Sequence, residues 1–220
     1  MNIYFISGLG ADRHAFDRLR LEEQHVCHFI DWLEPERNES IELYARRMAK
    51  DIDTTMPFAL IGLSFGGIIA IEISTFLSPL RLVIISSIAT QSELPLAYRI
   101  AGKLALHRSR LVHRLRNNDR LVNYLFGAGS SFLSQYLRER IAAMSDRYLY
   151  WSLNAILQWK QKERVKGLVH IHGTKDRLFP IGNTKADIRV EGGSHFMVMT
   201  HAGILSKHIN KVLSESDYQV

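Results

Sequence analysis

Six short apolar runs separated by helical patterns constrain this chain more than any other feature. The runs are Ile3–Ile6, Val26–Ile30, Ala59–Leu63, Leu82–Ile85, Leu168–Ile171 and Ile188–Val190. Between the second and third lies Ser40–Ile52, where Ile41, Tyr44, Ala45, Met48 and Ile52 recur at the spacing of an amphipathic helix. Ser40 is placed to cap that helix. Ile204, Leu205, His208, Ile209, Val212 and Leu213 repeat the pattern near the end. Strands alternating with helices predict an α/β fold, a mainly parallel sheet of about six strands covered by helices on both faces. From about residue 91 to 164 no β run interrupts a Leu-, Arg- and aromatic-rich stretch, which reads as helices inserted after the fourth strand. The 220 residues are 46% hydrophobic, enough for one domain (1–220) with a substantial core.

The third run leads into Gly62-Leu63-Ser64-Phe65-Gly66-Gly67 and then the apolar Ile68-Ile69-Ala70-Ile71. This is G-x-S-x-G between a strand and a helix, the setting of a nucleophile elbow. A sharp turn there lifts Ser64 out of the sheet, and side chains two positions either side would collide, which explains both glycines. The helix start behind Ser64 offers free N–H groups to a developing oxyanion.

A serine needs a base, and the base needs an orienting group. The fifth run ends in His170-Ile171-His172-Gly173-Thr174-Lys175-Asp176, and the sixth in Glu191-Gly192-Gly193-Ser194-His195. Each places a candidate, Asp176 and His195, in a loop just beyond a strand. Taken singly, Asp176 also reads as a turn-forming aspartate and His195 as a surface or capping histidine. The order Ser, Asp, His is the one expected with an elbow of this type.

The first strand ends in Ser7-Gly8-Leu9-Gly10-Ala11-Asp12. A strand order of 2-1-3-4-5-6 makes the first and third strands neighbours at a topological switch point, so this loop faces Ser64. The N–H groups of Leu9 and Phe65 are then the candidates for an oxyanion hole. A phosphate-binding loop is the competing reading, but position 13 is Arg, where a dinucleotide fingerprint needs its third glycine.

On these motifs the chain resembles the α/β-hydrolase superfamily from the strand at Ile3 to the final helix. The resemblance implies that the insertion at residues 91–164 is a lid shaping the acyl or leaving-group pocket. Three departures stand out. The chain opens at what the family counts as its third strand. Ser7 stands where a His often precedes the loop glycine. The interval from Asp176 to His195 leaves little room for the usual helix.

The expected activity is hydrolysis of a small carboxylic ester or thioester, with Ser64, His195 and Asp176 as the catalytic set and no metal or organic cofactor. A lyase-type activity on the same fold, or a catalytically silent ligand-binding protein, are the alternatives. His170 and His172 share a strand face but lack a third metal ligand at recognisable spacing. His14 reads as pocket lining or surface helix, and Tyr148, Tyr150, Trp151 and Trp159 as substrate contacts or lid-to-body packing. Cys27, the single cysteine, reads as a buried structural thiol and fits a reducing compartment.

The formal charge of +6 is uneven: ten Lys/Arg against three Asp/Glu lie between Pro95 and Tyr150. Arg99, Lys103, Arg108, Arg110, Arg114, Arg116 and Arg120 form either a solvated helix surface or an attractor for an anionic acyl substrate. No nucleic-acid-binding motif accompanies them. The N-terminus carries no basic leader, and the longest apolar stretch, Phe58 to Ile71, is short of a membrane span. Both point to a soluble, cytoplasmic protein. The oligomeric state is left open.

Overall fold

In the computed structural model, which describes residues 1–104 and 111–215, the six runs form one parallel sheet in the order 2-1-3-4-5-6. Strand β1 is Asn2–Ile6, β2 Val26–Ile30, β3 Phe58–Leu63, β4 Arg81–Ile85, β5 Leu168–Gly173 and β6 Ile188–Val190. Pairing is parallel throughout, with Ile6 beside Gly62, Leu63 beside Ile85 and Gly173 beside Val190. The strands therefore end at one edge, where their loops meet.

Alternate residues along the inner strands β1, β3, β4 and β5 enter two separate cores. Ile3, Phe5, Ile61, Val83 and Ile171 pack under helix α9 (Ala202–Ser214) through Leu205, Ile209 and Val212. Tyr4, Ile6, Leu60, Ile84 and Leu168 pack on the other face. There they meet α1 (Ile41–Met48) through Tyr44 and Met48, and α2 (Phe65–Ser74) through Ile68, Ile69 and Ile71. Ser40 caps α1 as expected, accepting from the Leu43 N–H at 3.3 Å. Every residue of β3 is buried, as suits a central strand covered on both faces.

Strand β2 is different. It lies at the sheet edge, and Val26, Cys27 and Phe29 are all exposed. The expectation of a buried Cys27 is therefore corrected. The expected order already put this strand at the rim, but an apolar run does not tell whether helices cover an edge strand's faces.

Between β4 and β5 lie α3 (Leu96–Lys103), α4 (Leu111–Arg116), α5 (Asp119–Phe126), α6 (Ser131–Ala143) and α7 (Asp146–Leu157). Arg108 and Arg110 lie outside the described residues. Arg99, Lys103, Arg114 and Arg120 are exposed, whereas Arg116 pairs with Asp146 at 3.0 Å. Between β5 and β6 only a 3-10 turn, Ile181–Asn183, intervenes. A short helix α8 (Met197–Thr200) precedes α9. Among the described residues no helix is long and apolar enough to cross a membrane.

Candidate active site

Ser64 sits between β3 and α2 with φ +52° and ψ −119°, a backbone conformation that side chains disfavour. The surrounding contacts impose it. The Ser64 N–H donates to the Ile85 carbonyl at 2.9 Å, and the Ser87 hydroxyl donates to the Ser64 carbonyl at 2.7 Å. A Cβ on Gly62 would strike the Gly66 carbonyl, and one on Gly66 would strike the carbonyls of Ile6 and Ser7. Both glycines of the motif are thus required by close backbone approach.

The other two side chains arrive from loops tied to each other. Lys175 N–H donates to the Gly193 carbonyl at 2.8 Å, and Gly192 N–H to the Thr174 hydroxyl at 2.9 Å. This stitching joins the loop after β5 to the loop after β6. It brings His195 Nε2 to 2.9 Å from Ser64 Oγ and His195 Nδ1 to 2.8 Å from Asp176 Oδ2. The geometry brings the three sequence-selected residues together in one hydrogen-bonded chain.

Asp176 is buried, yet its charge is well met. Its Oδ1 accepts the N–H groups of Leu178 and Phe179, each at 2.9 Å. Burial alone would raise its pKa, but His195, His172 and the Phe179 N–H outweigh that and hold it below the ordinary carboxylate value. The His195 ring is held edge-on by two phenyl rings, Phe126 at 5.3 Å and Phe179 at 5.6 Å between centroids. Phe126 also accepts the Phe196 N–H through its carbonyl at 3.2 Å, so the end of α5 fixes the histidine loop.

The loop after β1 approaches Ser64 closely: a Cβ on Gly8 would lie 3.3 Å from Ser64 Cβ. Ser7, which precedes the first glycine of this loop, braces it. Its hydroxyl donates to the Ala11 carbonyl at 2.8 Å and accepts the Trp32 indole N–H at 2.9 Å. Trp32 in turn stacks on Phe65, the residue after Ser64, with ring centroids 5.2 Å apart and planes 3° from parallel. Phe65 N–H opens α2, where a helix has no partner of its own to offer it. Leu9 follows Gly8 on that loop, and Phe65 follows Ser64 at the start of α2.

His14 lies apart from this cluster, exposed in a 3-10 turn and bonded to Asp17 at 2.8 Å. Trp151 and Tyr148 join the aromatic layer around Tyr44, Phe65 and Trp32, and Trp159 bonds Glu72 at 2.6 Å. His170 and His172 are buried and bonded to each other, and no metal-binding cluster occurs among the described residues. The sequence reading missed Trp32, Phe126 and Phe179, whose contacts with the site arise from distant segments or from loop conformation.

The chain matches the alpha/beta hydrolase family over residues 3–205, and it belongs to that family. Among solved structures, it is similar to the enol-lactonase from Burkholderia xenovorans. Identity is 18%, coverage is 97% of this chain and 91% of that one, and the TM-score is 0.74. It is similar to a hydrolase from Pseudomonas aeruginosa at 15% identity, covering 97% and 90%, with a TM-score of 0.72. It is similar to a thermophilic esterase from Thermogutta terrifontis at 13% identity, covering 98% and 90%, with a TM-score of 0.68. At these identities the likeness is one of fold. No curated protein matches the chain at a significant level.

Proposed function

We propose that this protein is a serine hydrolase that cleaves a small carboxylic ester or thioester through an acyl-enzyme on Ser64. The observation that carries the reading is the continuous chain from Ser64 Oγ through His195 to Asp176, at 2.9 Å and 2.8 Å. In this mechanism His195 Nε2 takes the Ser64 proton as Oγ attacks the carbonyl carbon. Asp176 holds Nδ1 protonated, fixing the tautomer that leaves Nε2 basic. The N–H groups of Leu9 and Phe65 receive the oxyanion. The imidazolium then protonates the leaving group. In the second half His195 deprotonates water, which attacks the acyl-enzyme and releases the acid.

Helices α3–α7 serve as the lid in this reading, since α5 packs on His195 through Phe126. The exposed arginines of the lid favour an anionic acyl substrate. The names of the esterase and lactonase among the similar structures agree with ester chemistry.

The test is a panel of para-nitrophenyl esters and acyl thioesters, assayed by release of both acid and leaving group. Wild type should turn over at least one of them, and Ser64→Ala should lose that activity by at least about a thousandfold. Folded wild type that releases no acid from any member would favour a lyase-type or ligand-binding role.

A further inference from the structure

Behind Asp176 the hydrogen-bonded chain continues into the core. His172 Nε2 lies 2.7 Å from the Phe179 carbonyl and 3.4 Å from Asp176 Oδ2. A carbonyl can only accept, so Nε2 carries the proton. His172 Nδ1 is 2.9 Å from His170 Nε2. Burial pushes both rings well towards their neutral forms, by lowering each pKa below the ordinary histidine value. In a neutral His172 protonated on Nε2, Nδ1 must accept, so His170 Nε2–H is the donor. One tautomer is thereby fixed by partners at both ends.

The consequence falls on the acid. Phe179 donates its N–H to Asp176 Oδ1 while its carbonyl receives His172, so the imidazole clamps the turn that cradles the carboxylate. His172 Nε2, its proton directed at the Phe179 carbonyl, also sits 3.4 Å from Asp176 Oδ2, the oxygen bonded to His195, and its partial positive charge favours the ionised carboxylate. Other ionisable groups surround the chain. Tyr98 faces Asp176 from α3, and Glu93 Oε2 lies 4.0 Å from His170 Nδ1. Arg164, paired with Asp187, also acts on His170. Glu93 is turned to other duties, accepting the Ala89 N–H at 2.7 Å and the Lys185 N–H at 3.1 Å.

We propose that His172 is a positioning residue for the reaction, a neutral Nε2–H imidazole that holds Asp176 through Phe179 and favours its ionised form, with the Phe179 carbonyl setting its tautomer and His170 donating to its other nitrogen. The inference rests on the serine-hydrolase reading of Ser64, His195 and Asp176.

The test uses the rate at which a fluorophosphonate labels Ser64, measured across pH in wild type, His172→Leu and His172→Gln. The acid limb reports protonation of the His195–Asp176 pair, and a carboxylate relieved of the nearby His172 N–H dipole holds that proton more tightly. In His172→Leu the acid limb of the profile should move up by about half to one pH unit, and the plateau rate should fall about tenfold. His172→Gln, whose amide N–H can reach the Nε2 position, should restore the limb towards wild type. A folded His172→Leu protein with an unchanged acid limb overturns the proposal while leaving the serine-hydrolase reading intact. Wild type that never labels overturns both. Should the leucine variant fail to fold, ¹⁵N NMR of the histidines in wild type decides. A neutral Nε2–H His172 through the active pH range supports the role, and an Nδ1–H tautomer or an imidazolium contradicts it.

Discussion

Ser64 illustrates how a single residue trades stability for chemistry. Its positive φ belongs to glycine's range, and such conformations cost about 1–3 kcal/mol. Ser64→Gly should therefore be more stable than Ser64→Ala by about 1 kcal/mol in urea titrations, with both inactive. Equal stabilities would mean the elbow is unstrained. Asp176 links the site to pH. Its folded pKa is depressed, so it contributes stability above its unfolded value and loses that contribution as pH falls below about 4. The stability gap between wild type and Asp176→Asn should accordingly shrink below about pH 4, and a gap that widens on acidification contradicts this account of the carboxylate. The sequence made Ser64, Asp176 and His195 legible because each stands in a turn next to a strand, where the backbone dictates residue type. His172 was not legible in the same way. Its role depends on a carbonyl seven residues on and a carboxylate four residues on curling back towards it.

At the scale of elements, periodicity located the strands and the first helix, and Ser40 located its start. Exposure was harder. Cys27 and Phe29 look apolar in sequence, and although the expected order put β2 at the rim, their exposure shows only in the packing around it. Helix α2 shows the reverse case, a carboxylate carried into the core. Glu72 is buried and accepts the Trp159 indole N–H at 2.6 Å, and burial raises its pKa. A raised folded pKa gives stability that is present below the unfolded value and lost as pH rises through the folded one. Glu72→Gln keeps the oxygen that bonds Trp159 and removes the charge. Its melting temperature should exceed that of wild type at about pH 8, with the difference closing towards about pH 4. A variant less stable at both pH values would show that ionised Glu72 is well accommodated.

Across the whole molecule, the parallel sheet brings the loops after β1, β3, β5 and β6 together at one edge, where α5 sets Phe126 against His195 and α7 sets Trp151 against Phe65. Arg140 and Tyr136 of α6 both bind Asp12 beside the β1 loop, at 2.7 Å and 2.9 Å, which ties the inserted helices to the sheet edge. Such contacts join residues more than a hundred positions apart, so they could not be read from spacing. The charge imbalance could be read, and its effect is long-range. If the exposed arginines attract substrate, kcat/KM for an anionic ester should fall severalfold as added salt shortens the screening length from about 30 Å to about 8 Å, while a neutral ester barely responds. Equal responses would leave the arginines as solvated surface.

Every step of the proposed reaction requires Ser64 to be an activated nucleophile. The most direct measurement is treatment of the folded protein with a fluorophosphonate, followed by mass spectrometry of its peptides, beside Ser64→Ala and His195→Ala. One adduct is expected, on Ser64, and it should be absent from both variants. Labelling that persists in His195→Ala, or none in folded wild type, would contradict it.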